Sequence, residues 1–265
     1  MIDQILQKVE KLPPAERVVA MRRAKADFYE QDLFATCKYL IGFKEMNWRT
    51  HGELIEVLES PLRRKLICYP RGGFKSSITV IGYAIWRMIR NPEIRILLDS
   101  ELFTNSKNFL RAIRGHLERP EFTELWGSFE GPVWHESELT IAQRKQPRVE
   151  ATITCGGVGT TKVGQHYDLI IGDDYNSPKN SNTPEKCEQI IAHYKYNLSI
   201  LDPDGEYVLI GTRYAEQDLI GWVLRDLLGL EDLADGKLPG EGPGKGLIKG
   251  ARDGIEKEET RKEGD

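Results

Sequence analysis

Three short apolar runs in this chain each stop abruptly at polar residues. KLICYP (65–70) runs into RGGFKSS, YDLIIG (167–172) into Asp173-Asp174, and GEYVLIG (205–211) into Thr212-Arg213. Runs of this length, rich in Ile, Leu and Tyr, read as buried strands. Helical periodicity lies between them, in SSITVIGYAIWRMIRN (76–91), closed by Asn91-Pro92, and in a segment around 184–199. IRILLDS (94–100) reads as a further strand and residues 105–119 as a further helix, while WHESELTI (134–141) and VEATITC (149–155) alternate as half-buried antiparallel strands do. Strands alternating with helices predict βαβ units and an α/β fold with a mainly parallel central sheet. Ligands bind at the carboxyl edge of such a sheet, and all three polar ends belong to that edge.

The flanks have a different character. Residues 1–45 read as a helical N-terminal segment, with apolar spacing through ILQKVEKL and a restart at Pro13-Pro14. Residues 46–228 hold the alternating core. From 229 to 265 the chain is rich in Gly and charge and poor in large apolar residues, which predicts a linker or poorly ordered tail.

The totals narrow the class. A chain of 265 residues can bury a substantial core. Its longest apolar runs are far short of a membrane span, and the N-terminus lacks a signal-peptide core, so no membrane association is expected. Cys37, Cys68, Cys155 and Cys187 are scattered, without zinc spacing, and read as reduced, buried thiols in a cytoplasm. A net charge of −4 argues against a protein that coats nucleic acid over its whole surface, though it leaves room for one basic face.

The stretch CYPRGGFKSS almost spells the phosphate loop G-x-x-x-x-G-K-[ST]. Counting back from Lys75, the glycine positions hold Tyr69 and Phe74, and Gly72-Gly73 fall one register off. A helix N-terminus directly after a strand offers free N–H groups and a positive dipole end, so Gly72 to Ser77 form a candidate nucleotide cradle. Lys75 is placed to reach phosphate, Ser76 to reach Mg²⁺, and Arg71 to add a second positive charge. The alternative is a solvent-facing Gly-Gly turn with a helix-capping Ser. Asp173, at the end of a buried strand, suits the carboxylate that holds a Mg²⁺ shell beside ATP. Asp174, or Glu185 further on, would position the attacking water; exposed, idle carboxylates are the alternative. Thr212 suits a γ-phosphate sensor, and Arg213 is either a sensor or a strand-end charge.

With these elements in this order, the chain resembles the ATPase portion of the large terminase subunit of tailed bacteriophages. The resemblance spans about Lys44 to Leu224, through His51-Gly-Glu-Leu, LICYPRGGFKSS, Trp86, GGVGTTKVGQHYDLIIGDD (156–174) and IGTRYAEQDLIG (210–221). That family is known for a deviant phosphate loop with an Arg four residues before its Lys, as Arg71 stands to Lys75. The resemblance implies a P-loop NTPase fold of the additional-strand type. It implies ATP and Mg²⁺ as cofactors, with Lys75 and Arg71 on phosphates, Ser76 and Asp173 on Mg²⁺, and Thr212 in a coupling motif. It further implies a motor that drives double-stranded DNA into a capsid. The partners would be the portal protein and the small terminase subunit, within a homo-oligomeric ring, commonly a pentamer. The place would be the host bacterial cytoplasm, transiently docked on the procapsid.

The chain departs from the family pattern at several points. No Arg stands in Gly164-Gln165-His166-Tyr167, where some terminases carry an arginine finger; Arg144, Arg148 and Lys162 are the substitutes on offer. Nothing supplies the clustered carboxylates of a C-terminal nuclease domain, so no nuclease activity is expected from this chain. Phe74 replaces a glycine, a costly exchange wherever the backbone needs positive φ. A helicase-like DNA-dependent ATPase and a nucleotide-binding scaffold without turnover are the alternatives.

Overall fold

The computed structural model describes residues 13–69, 72–227 and 247–251. Its centre is a sheet of strands β1 (Arg64–Cys68), β2 (Ile96–Ser100), β3 (Glu130–Trp134), β4 (Glu138–Ile141), β5 (Ile153–Cys155), β6 (Tyr167–Asp173), β7 (Leu201–Gly211) and β8 (Leu247–Ala251). Among the described residues the strand order is β3-β4-β5-β2-β6-β7-β1-β8. The five strands from β5 to β1 pair in parallel, and antiparallel pairs close both edges. The mainly parallel α/β sheet expected from the sequence is therefore present.

The period of two in each strand divides the side chains between two cores. Ile67, Ile96, Leu98, Ile153, Leu169, Ile171, Val208 and Ile210 face one side. Leu66, Cys68, Leu97, Ile170, Tyr207 and Leu209 face the other. A strand buried on both faces needs the near-continuous apolar runs that the sequence displays.

Helices cover each face. On the first side lie α1 (Pro14–Gln31), the short α2 (Leu33–Ala35) with a π-helical continuation Thr36–Ile41, α3 (Trp48–Glu59), a π-helical turn Ser77–Gly82 leading into α4 (Tyr83–Arg90), α5 (Phe103–Leu117) and α6 (Pro120–Trp126). Leu33, Cys37, Leu40, Met46 and Leu54 join the same core as the strands, so the N-terminal helices pack on the sheet directly. The other side is covered by α7 (Pro184–Ser199) and α8 (Leu219–Trp222), through Ile190, Tyr194, Leu219 and Ile220. Caps explain where several helices begin. Asn47 accepts from the Thr50 N–H at 2.9 Å, and Asp218 accepts from the Gly221 N–H at 2.9 Å.

Two expectations change. The strand expected over 134–141 is split: Trp134 ends β3, whose residues 130–133 are unassigned in the sequence reading, and β3 pairs antiparallel with β4. Within the segment expected to be linker or tail, Leu247–Ala251 forms an edge strand antiparallel to β1. An unpaired strand edge offers a row of free N–H and C=O groups, and even a short stretch in a Gly-rich segment can satisfy them. The rest of that segment, and ILQKVEKL at the N-terminus, lie outside the described residues. All four cysteines are buried. Among the described residues no helix is long and apolar enough to cross a membrane.

Candidate nucleotide site

The three polar strand ends converge. Cys68 stands opposite Gly211 in the β1–β7 pair, and Asp173 opposite Ile210 in the β6–β7 pair, so one strand separates the loop strand from the carboxylate strand. After β1 the chain turns through Gly72 at φ 78° and Phe74 at φ 57°. The first helical bond runs from the Ile78 N–H to the Phe74 carbonyl at 2.9 Å, which leaves the N–H groups of Lys75, Ser76 and Ser77 at the open end of the helix. Gly73 and Phe74 complete the turn, and Arg71 lies outside the described residues.

Phe74 holds a backbone region that costs an L-residue about 1–2 kcal/mol. Its surroundings offset this. The ring packs against Phe43 at 6.1 Å between centroids and edge-on to His51 at 6.3 Å. His51 also stacks on Tyr69, whose hydroxyl donates to the Thr50 carbonyl. The two residues at the usual glycine positions thus clasp one histidine of α3.

Lys75 is buried, and its Nζ donates to Thr212 Oγ1 at 3.1 Å and to Asp174 Oδ1 at 3.4 Å. Ser76 Oγ donates to Asp173 Oδ1 at 2.8 Å. Asp173 is buried, and its carboxyl is pushed up to about 7 by desolvation first and by the Asp174 charge second, with Ser76 and Lys75 pulling the other way. Asp174 has φ 42°, so a second non-glycine residue holds the left-handed region beside the first carboxylate. Nη1 of Arg213 is buried with no acceptor among the described residues, an orphan donor next to Thr212.

The structure therefore brings together Lys75, Ser76, Asp173, Asp174 and Thr212, and it sets Glu185 apart. Glu185 is exposed in the first turn of α7, where backbone N–H and its neighbour Thr183 hold its carboxyl below the usual range. Arg144 spends its guanidinium on the carbonyls of Glu150 at 2.6 Å and Ile94 at 2.9 Å. Arg148 donates to Gln146 at 3.2 Å, and Lys162 lies half-buried on the loop after β5, its N–H bonded to the Tyr196 hydroxyl at 2.6 Å.

Sequence reasoning missed a buried polar cluster behind these residues. Asp99 Oδ2 lies 2.6 Å from His193 Nε2 and accepts from the Tyr175 hydroxyl at 2.8 Å and from Asn197 Nδ2 at 2.5 Å. The Tyr175 and Tyr207 hydroxyls lie 2.9 Å apart. Tyr175 directly follows Asp174, so its hydroxyl ties the carboxylate turn to β2. An acid inside the apolar run IRILLDS was the available signal.

The donor set fits Mg²⁺. A hydroxyl and a buried carboxylate are hard oxygen ligands, and a cation would offset the desolvation and the Asp174 repulsion that push Asp173 up. Among the described residues there is no group of three or more His, Cys, Asp or Glu able to hold a metal by themselves. Mg²⁺ at nucleotide sites usually takes only one or two protein ligands, with phosphates and water completing its shell.

No protein-family model matches the chain, and no curated protein matches it. Among solved structures it is similar to S. cerevisiae Dbp5 in a complex with Nup159, Gle1, IP6 and ADP, at 14% identity and a TM-score of 0.46. The likeness covers 73% of this chain and 49% of that one, so the chain spans about half the length of that relative.

Proposed function

We propose that this chain is a Mg²⁺-dependent ATPase of the P-loop, additional-strand type, and that its turnover drives double-stranded DNA as the ATPase part of a terminase-like packaging motor. One observation carries the ATPase reading: the buried Lys75 ammonium meets Thr212 and Asp174 while Ser76 meets Asp173, at the ends of three neighbouring strands. The packaging reading rests on the sequence motifs described above.

In this reading the N–H groups of Lys75, Ser76 and Ser77 receive phosphate oxygens at the positive end of the helix. Lys75 exchanges Asp174 for the β/γ oxygens and offsets the charge that spreads over them in the transition state. Ser76 and Asp173 hold Mg²⁺, which supplies further neutralisation of those oxygens when bound. Thr212 loses or regains its bond to Lys75 as the γ-phosphate comes and goes. That change is the link from chemistry to movement. DNA contact is to the phosphate backbone and falls steeply with salt. A ring of copies on the portal protein, joined by the small terminase subunit in a bacterial host's cytoplasm, is the assembly in which an incomplete arginine set would be completed.

ATP hydrolysis measured against protein concentration, for wild type and Lys75→Ala, tests the reading. Turnover that rises with concentration, is stimulated by duplex DNA and vanishes in the variant supports it. Stimulation by single strands alone moves the chain to the helicase-like class. Nucleotide binding without turnover at any concentration, with or without DNA, leaves a scaffold.

A further inference from the structure

Among the described residues, the site next to Lys75 offers no carboxylate that lacks a bond to the turn after β1. Asp173 is buried and bonded to Ser76, Asp174 is paired with Lys75, and Glu185 stands exposed on another element. The strand on the far side of β6 supplies one. Ser100, the last residue of β2, is in register with Asp173, and Glu101 follows it at the same carboxyl edge, one residue past the ladder.

We propose that Glu101 is the carboxylate that orients and deprotonates the attacking water; this rests on the ATPase reading above. The Glu101 side chain is held in place by the segment that follows Asp174. Oε1 accepts from Ser177 Oγ at 2.7 Å and from Asn180 Nδ2 at 3.0 Å. Asn180 is itself fixed, because its Oδ1 accepts from the Ser177 N–H at 2.7 Å and its Nδ2 donates to the Tyr175 carbonyl at 2.7 Å. Both bonds to Glu101 fall on Oε1, and among the described residues no donor is paired with Oε2. The residue is half-buried. A half-buried carboxylate with one oxygen clamped and the other left to take a proton is the arrangement a general base needs.

The step balances with water and ATP alone. The water oxygen forms a bond to the γ-phosphorus. The bond from that phosphorus to the β–γ bridging oxygen breaks, and its electron pair stays on ADP. The water proton passes to Glu101 and from there to the released phosphate or to solvent. Ser177 and Asn180 are positioning residues, acting through the orientation of Oε1.

Steady-state ATP turnover at saturating ATP and Mg²⁺, with affinity for a fluorescent ATP analogue measured in parallel, tests this on wild type, Glu101→Gln, Asp174→Asn, Ser177→Ala and Asn180→Ala. Glu101→Gln is expected to lose about 10²–10⁴-fold in kcat, to bind the analogue within about 3-fold of wild type, and to retain unhydrolysed ATP through gel filtration. Ser177→Ala and Asn180→Ala, which leave the carboxylate in place, should each lose a smaller factor in kcat at unchanged affinity. Wild-type turnover in a folded Glu101→Gln overturns the assignment and leaves the ATPase reading standing. If Glu101→Gln fails to fold, unchanged kcat in both clamp variants overturns it instead. An inert wild type removes both readings together.

Discussion

The ring of His51 stands edge-on to Phe74, 6.3 Å between centroids, across a turn where Phe74 holds φ 57°. An aromatic side chain replaces the glycine that such a backbone favours, and its packing offsets the strain.

That balance can be measured. Phe74→Ala keeps the Cβ at positive φ and loses the ring contacts; Phe74→Gly loses the contacts and relieves the strain. Although Gly is ordinarily the more destabilising choice, the Gly variant should here be the more stable of the two by about 1 kcal/mol in urea unfolding. An Ala variant equal to or above the Gly variant would show that the turn carries no such strain.

The stability of the metal-free protein should depend on pH through Asp173. Its carboxyl titrates at about 7 in the fold against an ordinary 3.8. Between those values the native state keeps a proton that the unfolded chain has released. Stability therefore falls as pH rises through this window, by up to about 4 kcal/mol. Asp173→Asn should remove the slope and unfold at higher urea than wild type at pH 8, with the difference closing near pH 4. Identical slopes in the two proteins would exclude Asp173 as the source. Adding Mg²⁺ with ATP should restore wild type and leave the variant unmoved.

Tyr175→Phe deletes one hydroxyl that bonds both Asp99 and Tyr207 in a buried cluster. Thermal unfolding should show a loss of about 1–3 kcal/mol, because Asp99 loses one of its donors. The same variant should weaken Mg²⁺-nucleotide binding, since Tyr175 anchors the turn that carries Asp173 and Asp174. Full retention of nucleotide affinity would uncouple the cluster from the site.

Glu206 is expected to matter for stability alone. It lies 2.6 Å from the buried ammonium of Lys65 and also accepts from Tyr83 and Arg87. Glu206→Ala leaves Lys65 without its carboxylate, held by the Leu58 carbonyl at 2.8 Å, where burial already lowers its pKa, and should cost about 3–5 kcal/mol. A melting temperature near wild type would mean that Lys65 finds water or another acceptor.

What was legible in the sequence followed from period and punctuation. β2 and β6 announced themselves by apolar runs and α7 by helical periodicity, and Lys75, Ser76, Asp173 and Thr212 by standing at strand ends. β3 was not legible because none of its residues is buried and they include Gly131 and Pro132. Gly131 is there for close approach: a Cβ would meet the Thr140 carbonyl oxygen at 2.1 Å. Glu101 was not legible either, because register across a sheet is a tertiary fact. The carbonyls that engage Arg144 come from Glu93, Ile94 and Glu150, contacts that no local pattern encodes.

The strand between the loop and the carboxylates is also a ruler. Two hydrogen-bonded spacings, about 10 Å in all, set how far the end of β1 stands from the end of β6, and the side chains at the mouth do not choose that span. A substitution deep in β7, at Val208 or Ile210, that spread the ladder by a fraction of an ångström would reach Lys75 and Asp173 as a change in their separation. Residues away from the mouth thus hold the tolerance of the candidate site.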